Sequence, residues 1–340
     1  RDVAKEGGVS ITTVSRALNG YTDVSEATKK KILEAVERLD YAPDINARSL
    51  GGKADTTIAL LTSEMTPDDE NGFLYGYIYG LFQQCGDQGC EFMLLVTSRA
   101  KQEKLSFQQL CKKKNLSGVV VTGLRVDDSY YQEILSSDIP CAMIDMRVRG
   151  TNKCRIEIDN VLASKEMTEY VIGLGHKKVA LVNGRRDVDV SLDRGRGYEQ
   201  ALRHAGITPD PEYTVYCDFN EEIAFFAVQR LLTRNPEITA LVCASDRMAI
   251  GAIRAAEELG LRVPEDLSVT GFDDIPIAPY IYKGLTTVRQ SPTEIGKACG
   301  RAVLQMINKE KVKKEIVLPF ELMLRGTTAA VRQAPREKAD

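Results

Sequence analysis

Carboxylates, a guanidinium and a small hydroxyl recur where apolar runs of this chain end. Asp145 closes Cys-Ala-Met-Ile-Asp, Ser245 and Asp246 close Leu-Val-Cys-Ala-Ser-Asp, Asp273 and Asp274 close Val-Thr-Gly-Phe-Asp-Asp, and Arg194 opens Arg-Gly-Arg-Gly-Tyr. A few convergent groups of these kinds, with an aromatic face, are what hold a small polyol. Asp246, followed by Arg-Met-Ala-Ile, reads as a helix cap. The carboxylates of residues 187–193 lack the glycine and terminal glutamate of a calcium loop, so an acidic surface loop is expected there. The two histidines are His176 and His204, and none of the eight cysteines falls in a C-x-x-C pair, so no zinc site and no cofactor is expected. His176, after Gly-Leu-Gly, reads as a helix-end residue, and the cysteines as reduced, buried small hydrophobes.

A second set of candidate residues lies near Arg1 and suits a different partner. A short amphipathic segment, residues 2–6, meets Gly7-Gly8-Val9-Ser10, after which helical spacing resumes over 11–19. The spacing predicts helix, tight turn, helix, with the glycines allowing the reversal, Val9 filling the angle and Ser10 capping the second helix. Val3, Ala4, Val9, Val14 and Leu18 then face inward, and Ile11, Thr12, Ser15 and Arg16 point outward. That outward face is where a recognition helix meets base edges, with Arg16 suited to guanine and the methyls of Ile11 and Thr12 to thymine. Thr13, Asn19 and the Ile11 amide suit phosphates.

The elements that position both sets follow from periodicity. Ser25 caps a third helix in which Ile32, Leu33, Val36 and Leu39 recur at helical intervals; its Lys29-Lys30-Lys31 run reads as a solvated face. Residues 41–53 form a proline-led, Asp44-capped segment that ends in two glycines and is too short for a stable isolated helix. Residues 1–53 carry nine Lys+Arg against eight Asp+Glu, or +1, and the rest 36 against 40, or −4, so charge alone does not mark a nucleic-acid face. Beyond Gly52, strands are expected at 57–61, 90–96, 118–121 and 141–144 with helices such as 73–89 and 104–114. A second series has strands at 179–182, 215–217, 240–243 and 267–270, with helices at 161–175, 194–206, 221–234 and 247–260. Two such series imply two α/β lobes of parallel sheets with a cleft outside the strand ends.

The motifs Asp-Val-Ala-Lys, Gly-Val-Ser, Thr-Val-Ser-Arg-Ala-Leu-Asn, Val-Ser and Ala-Arg-Ser-Leu, in this order and spacing, resemble the lactose-repressor/galactose-repressor family of bacterial transcription regulators. The resemblance implies a hinge helix that folds when a dimer meets its operator, with Leu50 as a minor-groove wedge beside Ala47 and Arg48. It implies a periplasmic-binding-protein-like body with three crossovers, the chain returning near Thr287 to the first lobe and near Phe320 to the second. It also places effector contacts on Arg194, Ser245 and Asp273, a stacking aromatic on Phe219, and Asn71 and Phe73 at the cleft. Ser245 stands where sugar-responding members commonly carry Asn, which weakens any specific sugar assignment.

The resulting expectation is a helix-turn-helix domain at 1–43, a hinge at 44–53, an effector-binding and dimerisation body at 54–330 and a tail at 331–340 without heptads. Within the body, lobe 1 spans about 54–157 and 289–319, and lobe 2 about 158–288 and 320–330. Such a chain would be a ligand-responsive regulator, most simply a cytoplasmic homodimeric repressor of a palindromic operator, answering to a sugar or sugar phosphate. A nucleobase co-repressor or a phosphoprotein partner is the variant within that class. Outside it stand a solute-binding protein and a sugar-modifying enzyme. An enzyme is disfavoured because Leu61-Thr-Ser-Glu-Met-Thr-Pro follows the first strand in place of G-x-G-x-x-G, and there is no phosphate loop and no G-x-S-x-G. No run reaches the length of a membrane helix and none reads as a signal peptide; the start at Arg1 without methionine is read as the loss of a few residues.

Overall fold

The computed structural model describes residues 2–18, 21, 23–39, 56–63 and 73–331. The chain divides into two compact units between Thr56 and Thr57.

The first unit holds helices Asp2–Glu6, Ile11–Leu18 and Glu26–Arg38. Gly8 takes φ +63°, a conformation that costs an L side chain and lets the chain reverse between the first two helices. Ser10 Oγ accepts from the Thr13 amide at 3.0 Å and Ser25 Oγ from the Thr28 amide at 3.2 Å, so both later helices begin on a side-chain cap. Val3, Ala4, Val14, Ile32 and Ala35 are buried together, with Val9, Leu18 and Val36 packed against them. Leu33 and Leu39 depart from the expectation of their spacing, being 58% and 42% exposed. Two short helices cover only one stripe of the third, and Ile32, Ala35 and Val36 occupy it.

The second unit contains β1 (Thr57–Ser63), β2 (Glu91–Thr97), β3 (Gly118–Thr122), β4 (Cys141–Ile144), β5 (Lys153–Ile158), β6 (Val179–Asn183), β7 (Thr214–Tyr216), β8 (Ala240–Cys243), β9 (Ser268–Asp273), β10 (Thr286–Arg289), β11 (Glu315–Leu318) and β12 (Glu321–Met323). They form two six-stranded sheets, β11-β5-β4-β3-β1-β2 and β12-β10-β9-β8-β6-β7. Every neighbouring pair is parallel except β10 with β12. Central strands such as Ile58–Leu61 and Val119–Val121 are buried on both faces, which is why they read as continuous apolar runs; edge strand β2 has mixed exposure.

Helices cover both sheets, so the unit is a two-lobed α/β body. The chain leaves the first sheet after Ile158 and returns after Arg289 through the Pro292–Ile307 helix, whose Ile295, Cys299 and Val303 pack on Ile58, Leu60 and Val120. It passes to the second sheet again between Leu318 and Glu321. Near these crossings Ile158, Met167, Phe272 and Val288 form a small shared core. Helix pairs approach closely at glycine: a Cβ on Gly80 would stand 2.1 Å from the Thr293 carbonyl oxygen, and one on Gly197 2.2 Å from that of Val161.

Three local expectations need correction. The helix expected to open at Arg194 runs Asp189–His204, so most of the supposed acidic surface loop is helix, and Asp189 and Asp193 are buried. Their carboxylates can leave water because partners arrive from the first lobe: Asp189 accepts from the Tyr131 hydroxyl at 3.2 Å and the Arg147 amide at 3.0 Å, and Asp193 from Arg155 Nη2 at 2.9 Å. His176 lies past the helix end and is buried; Nδ1 meets Thr239 Oγ1 at 2.9 Å and Nε2 the Ala329 carbonyl at 3.0 Å, so it ties the strand entrances to the last described segment instead of capping its own helix. The cap expected on Asp246 belongs to Ser245, whose Oγ accepts from the Met248 amide at 3.2 Å. Asp246 instead reaches across to the Ile275 amide at 2.8 Å and the Thr287 hydroxyl at 2.5 Å, fastening β8 to the two strands beyond it. All eight cysteines are unpaired thiols, seven of them buried.

Candidate functional site

The carboxyl ends of strands from both sheets converge on a cavity of about 300 Å³. From the first lobe come Thr62 and Ser63 at the end of β1, Thr122 at the end of β3 with Gly123 after it, Asp145 after β4, and Phe73 and Tyr77 from the Phe73–Asp87 helix. The second lobe contributes Arg194, Phe219, Ser245 and Asp273, and Gln290 enters at a crossing. All six described residues expected to touch a ligand thus line one space; Asn71 lies outside the described residues.

Arg194 is the hub. Its guanidinium lies 3.5 Å from the Phe272 ring centroid, Nε donates to Asn160 Oδ1 at 3.0 Å, Nη1 donates to the Ala244 carbonyl at 2.5 Å, and Nη2 stands 3.8 Å from Asp273 Oδ1. Asn160 Nδ2 donates to Asp145 Oδ1 at 2.9 Å, and Gln290 Nε2 to Asp273 Oδ1 at 2.8 Å. A continuous polar chain, Asp145–Asn160–Arg194–Asp273–Gln290, therefore spans both lobes. Asp145 and Asp273 have φ of 54° and 114°, a backbone state found where a site demands it. Burial pushes Asp273 up to about 6; Arg194 and Gln290 act against the rise and Asp145 adds to it. Burial raises Asp145 too, opposed chiefly by Arg194, and lifts the Tyr77 hydroxyl well above its ordinary value.

Phe219, at φ 59°, lays its ring over Gly184, where any Cβ would strike it, and so presents a flat apolar wall. Ser245 lines the cavity, but its hydroxyl oxygen is engaged as the helix cap. Asp274 turns to Arg289 at 2.6 Å and Arg325 at 2.7 Å, which hold its carboxyl below the usual range despite its burial. Tyr77, Asn160, Phe272 and Gln290 were not expected from sequence. Asn160 sits behind Asp159, the residue that caps the helix, and Gln290 follows a strand with no motif around it.

In the first unit, Ile11, Thr12, Ser15 and Arg16 are exposed on one side of the second helix while Val14 is buried on the other. Arg16 is held over the Tyr21 ring at 5.2 Å and ion-paired with Asp23, its Nε 3.3 Å from Oδ1. The Thr13 hydroxyl pairs with Ser10 Oγ at 2.8 Å. Asn19, Ala47, Arg48 and Leu50, and with them the hinge, lie outside the described residues.

A helix-turn-helix unit followed by a two-lobed α/β body with a polar cleft defines a class of DNA-binding regulators. The chain belongs to the lacI family of bacterial regulatory proteins: residues 1–44 match that family's model, and residues 168–328 match the model of the periplasmic binding protein-like domain. It is 32% identical to the HTH-type transcriptional regulator RegA of Clostridium saccharobutylicum over 96% of this chain and 98% of that one. Among solved structures it is similar to the Lac repressor dimer bound to operator and the anti-inducer ONPF, with a TM-score of 0.83 at 26% identity over 97% and 98% of the two chains. It is also similar to the transcriptional regulator CelR–cellobiose complex, with a TM-score of 0.74 at 28% identity over 96% and 98%. The chain is a transcriptional regulator of the helix-turn-helix kind and not an enzyme.

Proposed function

We propose that this regulator is a homodimeric repressor, acting in the cytoplasm, whose hold on a pseudo-palindromic operator is set by a neutral sugar in the interlobe cleft. The observation that carries the reading is the Asp145–Asn160–Arg194–Asp273–Gln290 chain, which places donors and acceptors from both lobes around one small cavity. A polyhydroxy ligand both donates to carboxylates and accepts from a guanidinium, and Phe219 supplies an apolar face for a ring. A phosphate is disfavoured there: two carboxylates face the cavity, and three nitrogens of its one guanidinium are already committed to Asn160, Ala244 and Asp273. The complex of the similar CelR with cellobiose supports a sugar.

Ile11, Thr12, Ser15 and Arg16 would read bases in the major groove, with Thr13 and Asn19 on phosphates and the hinge of residues 44–53 setting Ala47, Arg48 and Leu50 in the minor groove. A dimer is supported by exposed apolar residues on each lobe. Tyr75 and Tyr79, stacked at 6.2 Å, lie on the same helix as Phe82, and Ile223, Phe226, Ile277 and Tyr280 are exposed on the second lobe. Sugar binding would change the angle between lobes and so the spacing of the two hinges. Such coupling is typically about 1–3 kcal/mol and reciprocal, so operator must alter sugar affinity by the same factor.

Selection of bound sequences from a random duplex library, with and without a panel of neutral sugars, tests the reading. A palindrome enriched without sugar and lost on its addition is expected. Absence of any consensus at moderate salt would overturn sequence reading by the first unit, and a consensus indifferent to every sugar would overturn the effector class.

A further inference from the structure

We infer that a hollow of about 630 Å³ beside the Asp189–His204 helix, distinct from the cleft, is a second ligand site that takes a phosphoryl-bearing small molecule. Four guanidiniums line it. Arg186, Arg196 and Arg203 come from the second lobe, and Arg147 from the first. The two carboxylates in the lining are engaged within the protein: Glu199 pairs with Arg203 at 2.8 Å, and Asp210 accepts from the Glu212 amide at 2.9 Å. Asp193 is shared by Arg147, Arg155 and Arg196. Arg186 has no carboxylate partner among the described residues and lies over the Tyr216 ring at 4.0 Å, which leaves its donors directed elsewhere. Arg186, the one guanidinium of the lining without a carboxylate partner among the described residues, stands beside the exposed Arg147, Arg196 and Arg203, and a phosphoryl group, whose oxygens accept paired N–H donors, suits that position.

The floor supports the same reading. Gly195 has no side chain where a Cβ would press on Asn183 Nδ2 at 3.3 Å, so the hollow stays open down to β6. Ser191, buried beneath the hollow, has a hydroxyl without a hydrogen-bond partner among the described residues. Arg147 also pairs with Asp189 at 3.3 Å across the lobe boundary, so an anion held by it together with Arg186 would join the two lobes from outside the cleft. The site would thus report a charged metabolite while the cleft reports a neutral one.

Calorimetric titration of the full chain with a hexose 6-phosphate, the unphosphorylated hexose and inorganic phosphate tests this without reference to DNA. The phosphorylated hexose should bind the native chain, and the Arg186→Gln/Arg203→Gln double variant should weaken it at least about tenfold, as expected for charged hydrogen bonds lost. Both arginines are exposed, so an unchanged melting temperature is expected and distinguishes lost binding from lost fold. Cleft variant Asp273→Asn should still bind the ester. Competition by inorganic phosphate would support the site with the phosphoryl group alone as the recognised element; binding of the ester without such competition would support recognition of the whole molecule. Failure of the ester to bind, or loss in Asp273→Asn with the arginine variant intact, would overturn the proposal.

Discussion

Arg194 concentrates the energetics of the cleft in one side chain. It separates Asp145 from Asp273, stacks on Phe272 and closes the polar chain between lobes. Arg194→Ala would leave two carboxylates facing each other without their cation, and is expected to cost about 3–5 kcal/mol, as for breaking a buried ion pair, read by urea unfolding. Asp273 carries a pH signature. Its carboxyl, pushed up to about 6 by burial, would ionise fully to accept hydroxyls of the proposed sugar, so binding would favour the ionised form and release protons near that pH. Sugar affinity should therefore be level above pH 7 and fall as pH drops through 6, by up to about tenfold per unit, and should do so less in Asp273→Asn. A profile flat from pH 8 to 5 would show that Asp273 does not touch the ligand. Sequence pointed to Asp145 and Asp273 because strand ends are legible, and to Arg194 through the Arg-Gly-Arg-Gly-Tyr motif of the family resemblance; it missed Gln290 and Asn160 because their role arises only from what the fold brings opposite them.

At the scale of elements, the second helix and its flanks are largely determined locally. Ser10 caps it and Gly8 turns the chain into it. Both act within a few residues, which is why that helix was legible from spacing. Helix pairing in the body depends instead on close approach. Gly197→Ala would place a methyl 2.2 Å from the Val161 carbonyl and near the Ser164 side chain, prying apart the helices Asn160–Gly173 and Asp189–His204. A loss of about 1–3 kcal/mol is expected from overpacking, measured by denaturant midpoint, and because Asn160 and Arg194 ride on those two helices, sugar affinity should fall with it. Unchanged stability would mean that the pair can shift without strain.

For the whole molecule, the exposed aromatics on Phe73–Asp87 and the two-fold character of the proposed operator belong together, since a dimer axis duplicates the reading helix. Phe82→Glu with Tyr79→Glu should yield monomers by sedimentation and weaken operator binding, while leaving sugar binding by the isolated protomer in place. Sedimentation of the double variant as a dimer would locate the interface elsewhere, and a tetramer of the native chain at micromolar concentration would overturn the dimer. The two-lobed architecture itself was legible because a parallel sheet, buried on both faces, writes its strands as unbroken apolar runs such as Gly118-Val-Val-Val.

By itself the sequence determined what depends on neighbours in the chain: the helix-turn-helix spacing, the alternation of strand and helix, the polar residues that stop each strand and the family these motifs announce. Tertiary structure alone decided which of those polar residues is free for a ligand. Asp246 became a buried fastener because Ile275 and Thr287 come within its reach, which leaves the local capping of the helix to Ser245. Asp189 and Asp193 left the surface because Tyr131, Arg147 and Arg155 arrive from the other lobe. A carboxylate's fate is set by the cost of removing it from water against the partners it finds, and those partners lie tens of residues away, where no local pattern records them.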